Sequence, residues 1–144
     1  MKRAIFLALC LLIGGPGFLG GRTSAQSDDA FQYFWKKFKQ AVISRDASTV
    51  AGLSEFPIGM SFPAAPINDR AELRRRFHEV FIDQVNAVKC FARPAPSVDT
   101  ENPNLFTVAC RNEKGNDAAV YQFARTKTGW RFTHFELSTT CGCR

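Results

Sequence analysis

A hydrophobic run long enough to cross a membrane is missing from this 144-residue sequence. A transmembrane helix needs about 20 consecutive apolar residues. The longest apolar stretch, Ala4–Ile13, is half that length. We therefore expect no membrane span in the mature chain.

Concentrated positive charge is missing as well. The formal net charge is +6, but three of the 19 Lys and Arg residues lie within the first 22 positions, so the rest of the chain, with its 13 Asp and Glu residues, carries only +3. Electrostatic nucleic-acid binding needs a dense stripe of Lys and Arg. The one basic cluster, Arg74–Arg76, fans out by about 100° per residue on a helix. We expect no nucleic-acid partner.

Sequence motifs that identify a catalytic or metal-binding function are also missing. The sequence shows no internal repeat and no catalytic signature, and it contains only two histidines. These histidines and Met60 are too scattered to complete a metal site. We predict neither a cofactor nor a bound metal from the domain itself.

The N-terminus, in contrast, has a clear export signal. Lys2 and Arg3 precede the apolar run, glycines and a proline at positions 14–17 break it, and small residues at 23–25 offer a cleavage site. This is the layout of a secretory signal peptide. We predict removal of residues 1–25, a single domain over 26–137 and a cysteine-containing tail over 138–144, in a protein that is periplasmic or secreted.

The first half of the mature chain has helical periodicity. A strongly amphipathic helix is predicted to start near residues 28–29, and its apolar face is assigned to the core: Phe31, Phe34, Trp35 and Phe38. Asp46 is predicted to cap a second, shorter helix. Asp69 and Glu72 form a capping pair for a third helix over 69–83.

After Asn86 the period changes from 3.6 to 2, which predicts strands over 87–93, 104–112, 118–125 and 129–137. Gly129 suits a tight hairpin because it can adopt a positive φ. Strict alternation would place Trp130, Phe132 and His134 on one face of the last strand. Helices followed by an antiparallel sheet predict an α+β domain with the helices packed on one sheet face.

The chain also resembles a known group of proteins. The segments that carry this resemblance are Phe34–Lys39, Leu53–Pro57, Ala87–Ala92, Thr107–Cys110 and Thr128–Phe132. In these segments the sequence is similar to small exported bacterial proteins of the nuclear-transport-factor-2-like, or cystatin-like, superfamily. The resemblance implies three helices against a strongly curved antiparallel sheet of four to five strands, forming a cone. It does not imply an activity, since the fold hosts several.

Enzymes of that superfamily often place an acid–base pair inside the cone, which makes some residues weak catalytic candidates. These are His78, Asp83 and His134. Asp99 and Tyr121 are further candidates. Such chemistry needs a base of raised pKa and a donor to the developing oxyanion. The simpler interpretation is that the histidines are hydrogen-bonded at the margin of the core.

Four cysteines follow the signal peptide, and an exported protein meets an oxidising compartment. Cys90 and Cys110 lie in neighbouring predicted strands and are expected to form a structural disulfide. Cys141 and Cys143 have three interpretations: a redox or soft-metal site, a bridge between two chains, or disulfides within one chain, which either tie the tail to the domain or join the two cysteines to each other. Their partners stay open.

The preferred interpretation is an exported, non-catalytic domain that binds a small apolar ligand or a protein partner. One alternative is a small acid–base enzyme of the isomerase or dehydratase type, using the cone pocket. A second alternative is a thiol-redox or soft-metal protein acting through Cys141 and Cys143. Homodimerisation is left open.

Overall fold

The computed structural model describes residues 23–61, 63–93, 97–98, 101–115 and 117–139. The predicted signal peptide lies mainly outside these ranges, as do Asp99, Cys141 and Cys143. The elements in chain order are helices α1 (Thr23–Ile43) and α2 (Ala47–Gly52), strand β1 (Ser54–Met60), helix α3 (Arg70–Arg75), a π-helical segment (Glu79–Asp83), helix α4 (Ala87–Phe91), and strands β2 (Ser97–Val98), β3 (Leu105–Arg111), β4 (Asp117–Thr126) and β5 (Gly129–Thr139). Within the described residues, no helix is long and apolar enough to span a bilayer.

The strands form one sheet in the order β1-β5-β4-β3-β2. Strands β2 to β5 pair antiparallel with their neighbours, while β1 pairs parallel with β5. The predicted α+β class, with helices packed on a sheet, is therefore confirmed. The sheet is mixed, because β1 runs parallel to its neighbour β5 while the other pairs are antiparallel.

Helix α1 supplies the largest part of the core. Phe31, Phe34, Trp35 and Phe38 are all buried, as the sequence predicts. The Phe31 ring stacks on that of Phe106 with 3.6 Å between centroids. The helix begins at Thr23, earlier than the predicted start near residues 28–29. That start was wrong because a possible capping residue does not prevent a helix from beginning earlier when the preceding residues also tolerate helical conformation.

The predicted caps of the next two helices are confirmed. The Asp46 carboxylate accepts a hydrogen bond from the Thr49 backbone N–H at 3.0 Å, and that of Asp69 accepts one from Glu72 N–H at 2.8 Å. The third helix does not run unbroken over 69–83, since α3 ends at Arg75 and a π-helical segment follows. Its buried stripe is present nonetheless: Leu73, Phe77, Val80 and Phe81.

The predicted strand over 87–93 is wrong, because this segment forms helix α4. The Asn86 side chain caps it by accepting a hydrogen bond from Lys89 N–H at 3.1 Å. Ala87 and Phe91, four residues apart, are the buried positions. A short apolar segment satisfies both periods, and here the cap decides in favour of the helix.

Strand β5 contains a bulge that changes which face its side chains occupy. Phe123 pairs with Phe132, but Gln122 pairs with His134, so Thr133 is the extra residue. A bulge places two residues of one strand opposite one of its partner. Phe135 therefore joins Phe132 on the helix-covered inner face, and His134 moves to the outer face. The predicted grouping of Trp130, Phe132 and His134 on one face was wrong for this reason.

Candidate functional site

Aromatic side chains fill the space between the helices and the inner face of the sheet. The rings in this packed interior with less than 2% exposure are Phe31, Phe38, Phe81, Phe91, Tyr121, Phe123, Phe132 and Phe135. The Tyr121 hydroxyl donates a hydrogen bond to the Val80 carbonyl oxygen at 2.8 Å. Burial raises the pKa of this phenol far above its ordinary value, so Tyr121 stays neutral. Its role is packing and a satisfied hydrogen bond.

The structure does not bring the catalytic candidates together. His78 and Asp83 are exposed, on the side of their segment away from the core. His134 is half-buried on the outer sheet face, where its imidazole lies against Gly59 and occupies the space that a side chain there would need. The sheet therefore separates His134 from the other two. Asp99 lies outside the described residues.

A pocket opens where the inner face of β5 extends past the packed core. Phe135 is buried, but Leu137, two residues further on, is 36% exposed. The space beside it has a volume of about 220 Å³. We call it the inner-face pocket, and its main lining residues are Met60, Ser61, Glu79, Gln84, Phe135 and Leu137. Ser61 fixes one wall, since its hydroxyl oxygen accepts a hydrogen bond from Leu137 N–H at 3.1 Å.

A charged cluster borders the inner-face pocket. Arg76 donates hydrogen bonds to both Glu79 carboxylate oxygens, at 2.7 and 2.8 Å, and to the Ala65 carbonyl oxygen at 3.1 Å. It also forms an ion pair with Glu72 at 3.4 Å. The hydrogen bonds from Arg76 hold the pKa of Glu79 below its usual range. Glu79 is thus an ionised acceptor at the pocket wall and already has a cationic partner.

A larger concavity lies on the outside of the domain, between the solvent-facing side of α1 and helix α2. This α1–α2 groove has a volume of about 770 Å³. Its lining includes Tyr33, Lys36, Lys37, Ala41, Thr49 and Leu53. The Lys37 ammonium lies 4.6 Å from the centre of the Tyr33 ring. A hydrogen bond and the charge of Lys37 lower the pKa of the Tyr33 phenol.

Cys90 and Cys110 form a disulfide with a Cα–Cα distance of 5.7 Å. The pair is the one that the sequence suggests, but Cys90 comes from α4 and not from a strand. The bond thus ties a helix to strand β3. No group of three potential metal ligands occurs within the described parts of the chain. The redox and soft-metal interpretation depends on Cys141 and Cys143, outside those parts, and stays a prediction.

A cone pocket was expected, but sequence reasoning did not identify the residues that line either concavity. The inner-face pocket depends on the β5 bulge, which sets the direction of Leu137, and no residue type marks that bulge. The groove had a weak signal: Tyr33, a large aromatic residue, lies on the polar side of α1 with Lys36 and Lys37. It is 65% exposed, one of two large hydrophobic residues so placed in the described chain.

With helices packed on the inner face of a single mixed sheet, the chain has a cystatin-like fold, which the resemblance to nuclear-transport-factor-2-like (NTF2-like) proteins implies. It is similar to a domain of unknown function with a cystatin-like fold from Nostoc punctiforme at 13% identity, over 84% of this chain and 82% of that one, with a TM-score of 0.50.

Two other solved structures are also similar. An NTF2-like protein with a cystatin-like fold from Novosphingobium aromaticivorans is 17% identical over 81% of this chain and 84% of its own, with a TM-score of 0.48. An uncharacterised protein with a cystatin-like fold from Caulobacter vibrioides is 15% identical over 80% and 90%, at 0.47. Protein-family models and curated protein sequences gave no match. Identities this low show the fold alone.

Proposed function

We propose that this chain is an exported, non-catalytic binding domain whose inner-face pocket takes a small, largely apolar molecule. The observation that carries the proposal is the exposure of the inner sheet face beyond the packed core. Leu137 continues the apolar row of Phe132 and Phe135 but, unlike those two buried rings, is exposed. Ligand sites typically combine such apolar walls with a few polar groups, and here Ser61, Glu79 and Gln84 provide them.

The size of the inner-face pocket limits the ligand. An apolar cavity of about 150 Å³ is large enough for benzene, and this pocket has about 220 Å³. A bicyclic ring system, or a single ring with a short substituent, matches that volume. A donor group on the ligand would face the Gln84 amide oxygen or the Glu79 carboxylate.

A non-catalytic role is favoured by the position of the acid–base candidates. General acid–base catalysis needs a positioned acid or base within hydrogen-bonding reach of the proton that is transferred. His78 and Asp83 face solvent, His134 lies across the sheet, and the Tyr121 hydroxyl is already bonded inside the core. Glu79, the carboxylate that lines the pocket, has a lowered pKa because Arg76 donates hydrogen bonds to it, and a carboxylate of lowered pKa is a weak base.

Export is supported by two independent features. Residues 1–25 have the charge, core and cleavage pattern of a signal peptide. The Cys90–Cys110 disulfide is the kind of bond that persists in oxidising compartments. Expression of the full chain in a bacterium, fractionation and N-terminal sequencing would test export. We expect a periplasmic protein that begins at Gln26, and a cytoplasmic, unprocessed chain would contradict this.

The binding proposal can be tested with indole and 2-naphthol as probes, using chemical-shift changes in nuclear magnetic resonance spectra. In the wild-type protein we expect the changes to centre on Met60, Gln84 and Leu137. Leu137→Glu should weaken probe binding at least about tenfold, because a carboxylate replaces the apolar wall. Ser138→Glu is the matched control: it adds the same group one residue later, on the opposite face, and should leave binding unchanged.

Three results would contradict the binding proposal. The first is the absence of saturable shifts with either probe, and the second is a set of shifts centred elsewhere. The third is equal weakening by the two substitutions, since that would show a general charge effect. A folded spectrum of each variant is the precondition for the comparison, and both altered residues are exposed enough to preserve the fold.

A further inference from the structure

The α1–α2 groove has an apolar floor and a basic rim. Ala41 is buried and Leu53 half-buried at its base, while Tyr33, Lys36 and Lys37 rise along the α1 side. From Tyr33 to Ser44 the groove follows about three helical turns, or about 16 Å at 1.5 Å per residue. These dimensions fit a short rod that is apolar on one side.

The charge of the groove is positive, since Lys36 and Lys37 line it with only one carboxylate, that of Asp46. Lys36 and Lys37 form no ion pair with a carboxylate in the described residues. The single acidic residue of the lining, Asp46, caps α2, and its carboxylate oxygens accept hydrogen bonds from the backbone N–H and the hydroxyl of Thr49. An anionic partner therefore complements this surface.

The shape distinguishes between classes of partner. Most of the lining residues are exposed, so a small molecule would stay largely in water, whereas small-ligand sites usually enclose most of the ligand surface. A flat bilayer would not reach a concave floor. Helices that bind membranes also present several large apolar residues. Among the side chains that the structure describes on this face, Tyr33 is the one exposed large apolar residue. An amphipathic helix with acidic residues fits both the elongated shape of the groove and its positive charge.

We propose that the α1–α2 groove docks an acidic amphipathic helix of a partner protein. Its apolar side packs on Ala41 and Leu53, and its carboxylates meet Lys36 and Lys37. This site is separate from the inner-face pocket, so either can exist without the other.

The probe for this proposal is a fluorescein-labelled peptide of about 14 residues, long enough to span the groove, with leucines at one helical face and glutamates elsewhere. Fluorescence anisotropy with the full processed protein measures its affinity. We expect saturable binding that weakens when NaCl rises from about 50 to about 300 mM, because exposed charges are screened. A peptide of the same composition in scrambled order should bind at least about tenfold more weakly.

Two pairs of variants locate the site. Lys36→Glu with Lys37→Glu should weaken binding at least about tenfold, while Lys114→Glu with Lys127→Glu, at exposed positions in the turns after β3 and β4, should not. Gly52 has no atom within 4 Å of the position of an added Cβ. Gly52→Trp should therefore obstruct the groove without strain, and Gly52→Ala should preserve binding.

The proposal is overturned if the ordered and scrambled peptides bind alike, or if the two lysine pairs have equal effects. It is also overturned if Gly52→Trp binds as well as Gly52→Ala. Vesicles of phosphatidylglycerol provide the competing outcome: vesicle binding that depends on Lys36 and Lys37, without peptide binding, would assign this surface to a membrane.

Discussion

The close packing of the aromatic interior can be tested by truncating Phe38. This residue is fully buried on α1, and its ring lies 5.0 Å from that of Phe123 and 5.5 Å from that of Phe132, measured between centroids. Phe→Ala substitutions in well-packed cores cost about 3–5 kcal/mol, from lost transfer free energy and the cavity left behind. Domains of this size have about 5–15 kcal/mol in total, so Phe38→Ala should remain folded but much less stable.

Urea unfolding followed by circular dichroism measures this effect. With a denaturant slope of about 1–3 kcal/mol per M, the midpoint should fall by about 2 M while the slope stays the same. Tyr33→Ala is the matched control on the opposite face of the same helix. Tyr33 is 65% exposed, and its truncation should change stability by no more than about 0.5 kcal/mol.

Benzene offers an independent check on the same variant. The cavity left by Phe38→Ala is apolar and large enough for a ring, and such cavities bind benzene. Saturating benzene should therefore raise the midpoint of Phe38→Ala by more than that of the wild-type protein, which offers benzene only the inner-face pocket. A loss below about 1 kcal/mol, or equal benzene stabilisation of both proteins, would refute a closely packed interior.

Two further predictions concern the cross-link and the charged cluster. Replacing Cys90 and Cys110 by Ser opens a loop with a sequence separation of 20 and should cost about 3 kcal/mol in urea unfolding; an unchanged midpoint would contradict this. The lowered pKa values of Glu72 and Glu79 mean that their stabilisation is complete above their ordinary values near 4.5 and is lost as pH falls through the lower folded-state values. The free energy of unfolding should therefore decrease on acidification, and it should decrease less steeply in Arg76→Met than in the wild-type protein. Equal slopes in the two proteins would contradict the assignment of this pH dependence to the interactions of Arg76 with Glu72 and Glu79.

Much of the fold could be predicted from the sequence because local signals agreed with each other. The caps at Asp46 and Asp69 mark helix starts by a specific hydrogen bond, and the turn before Gly129 needs the positive φ of 101° that glycine tolerates. In α1, four aromatic residues at helical spacing leave one possible buried face. The helix caps, the turn and the buried face of α1 each depend on residues that are close together in the sequence, so a local pattern is enough to predict them.

The failures occurred where a local signal was ambiguous or where pairing with distant residues decided the outcome. The segment 87–93 fits either period, and only the cap at Asn86 distinguishes a helix from a strand. The parallel pairing of β1 with β5 joins Ser54 to Phe132, which no local pattern could indicate. The disulfide was suggested for neighbouring strands, yet the same two cysteines meet between α4 and β3.

The bulge at Thr133 shows how a single residue determines where a binding site can form. Without it, strict alternation would place His134, Glu136 and Ser138 on the inner face, and that end of the sheet would be polar. With the extra residue, Phe135 and Leu137 face inward instead, and the surface next to the packed core becomes apolar. The same shift moves the imidazole to the outer face. An apolar pocket and the outward position of His134 are therefore two consequences of one local irregularity, and both support the binding role that we propose.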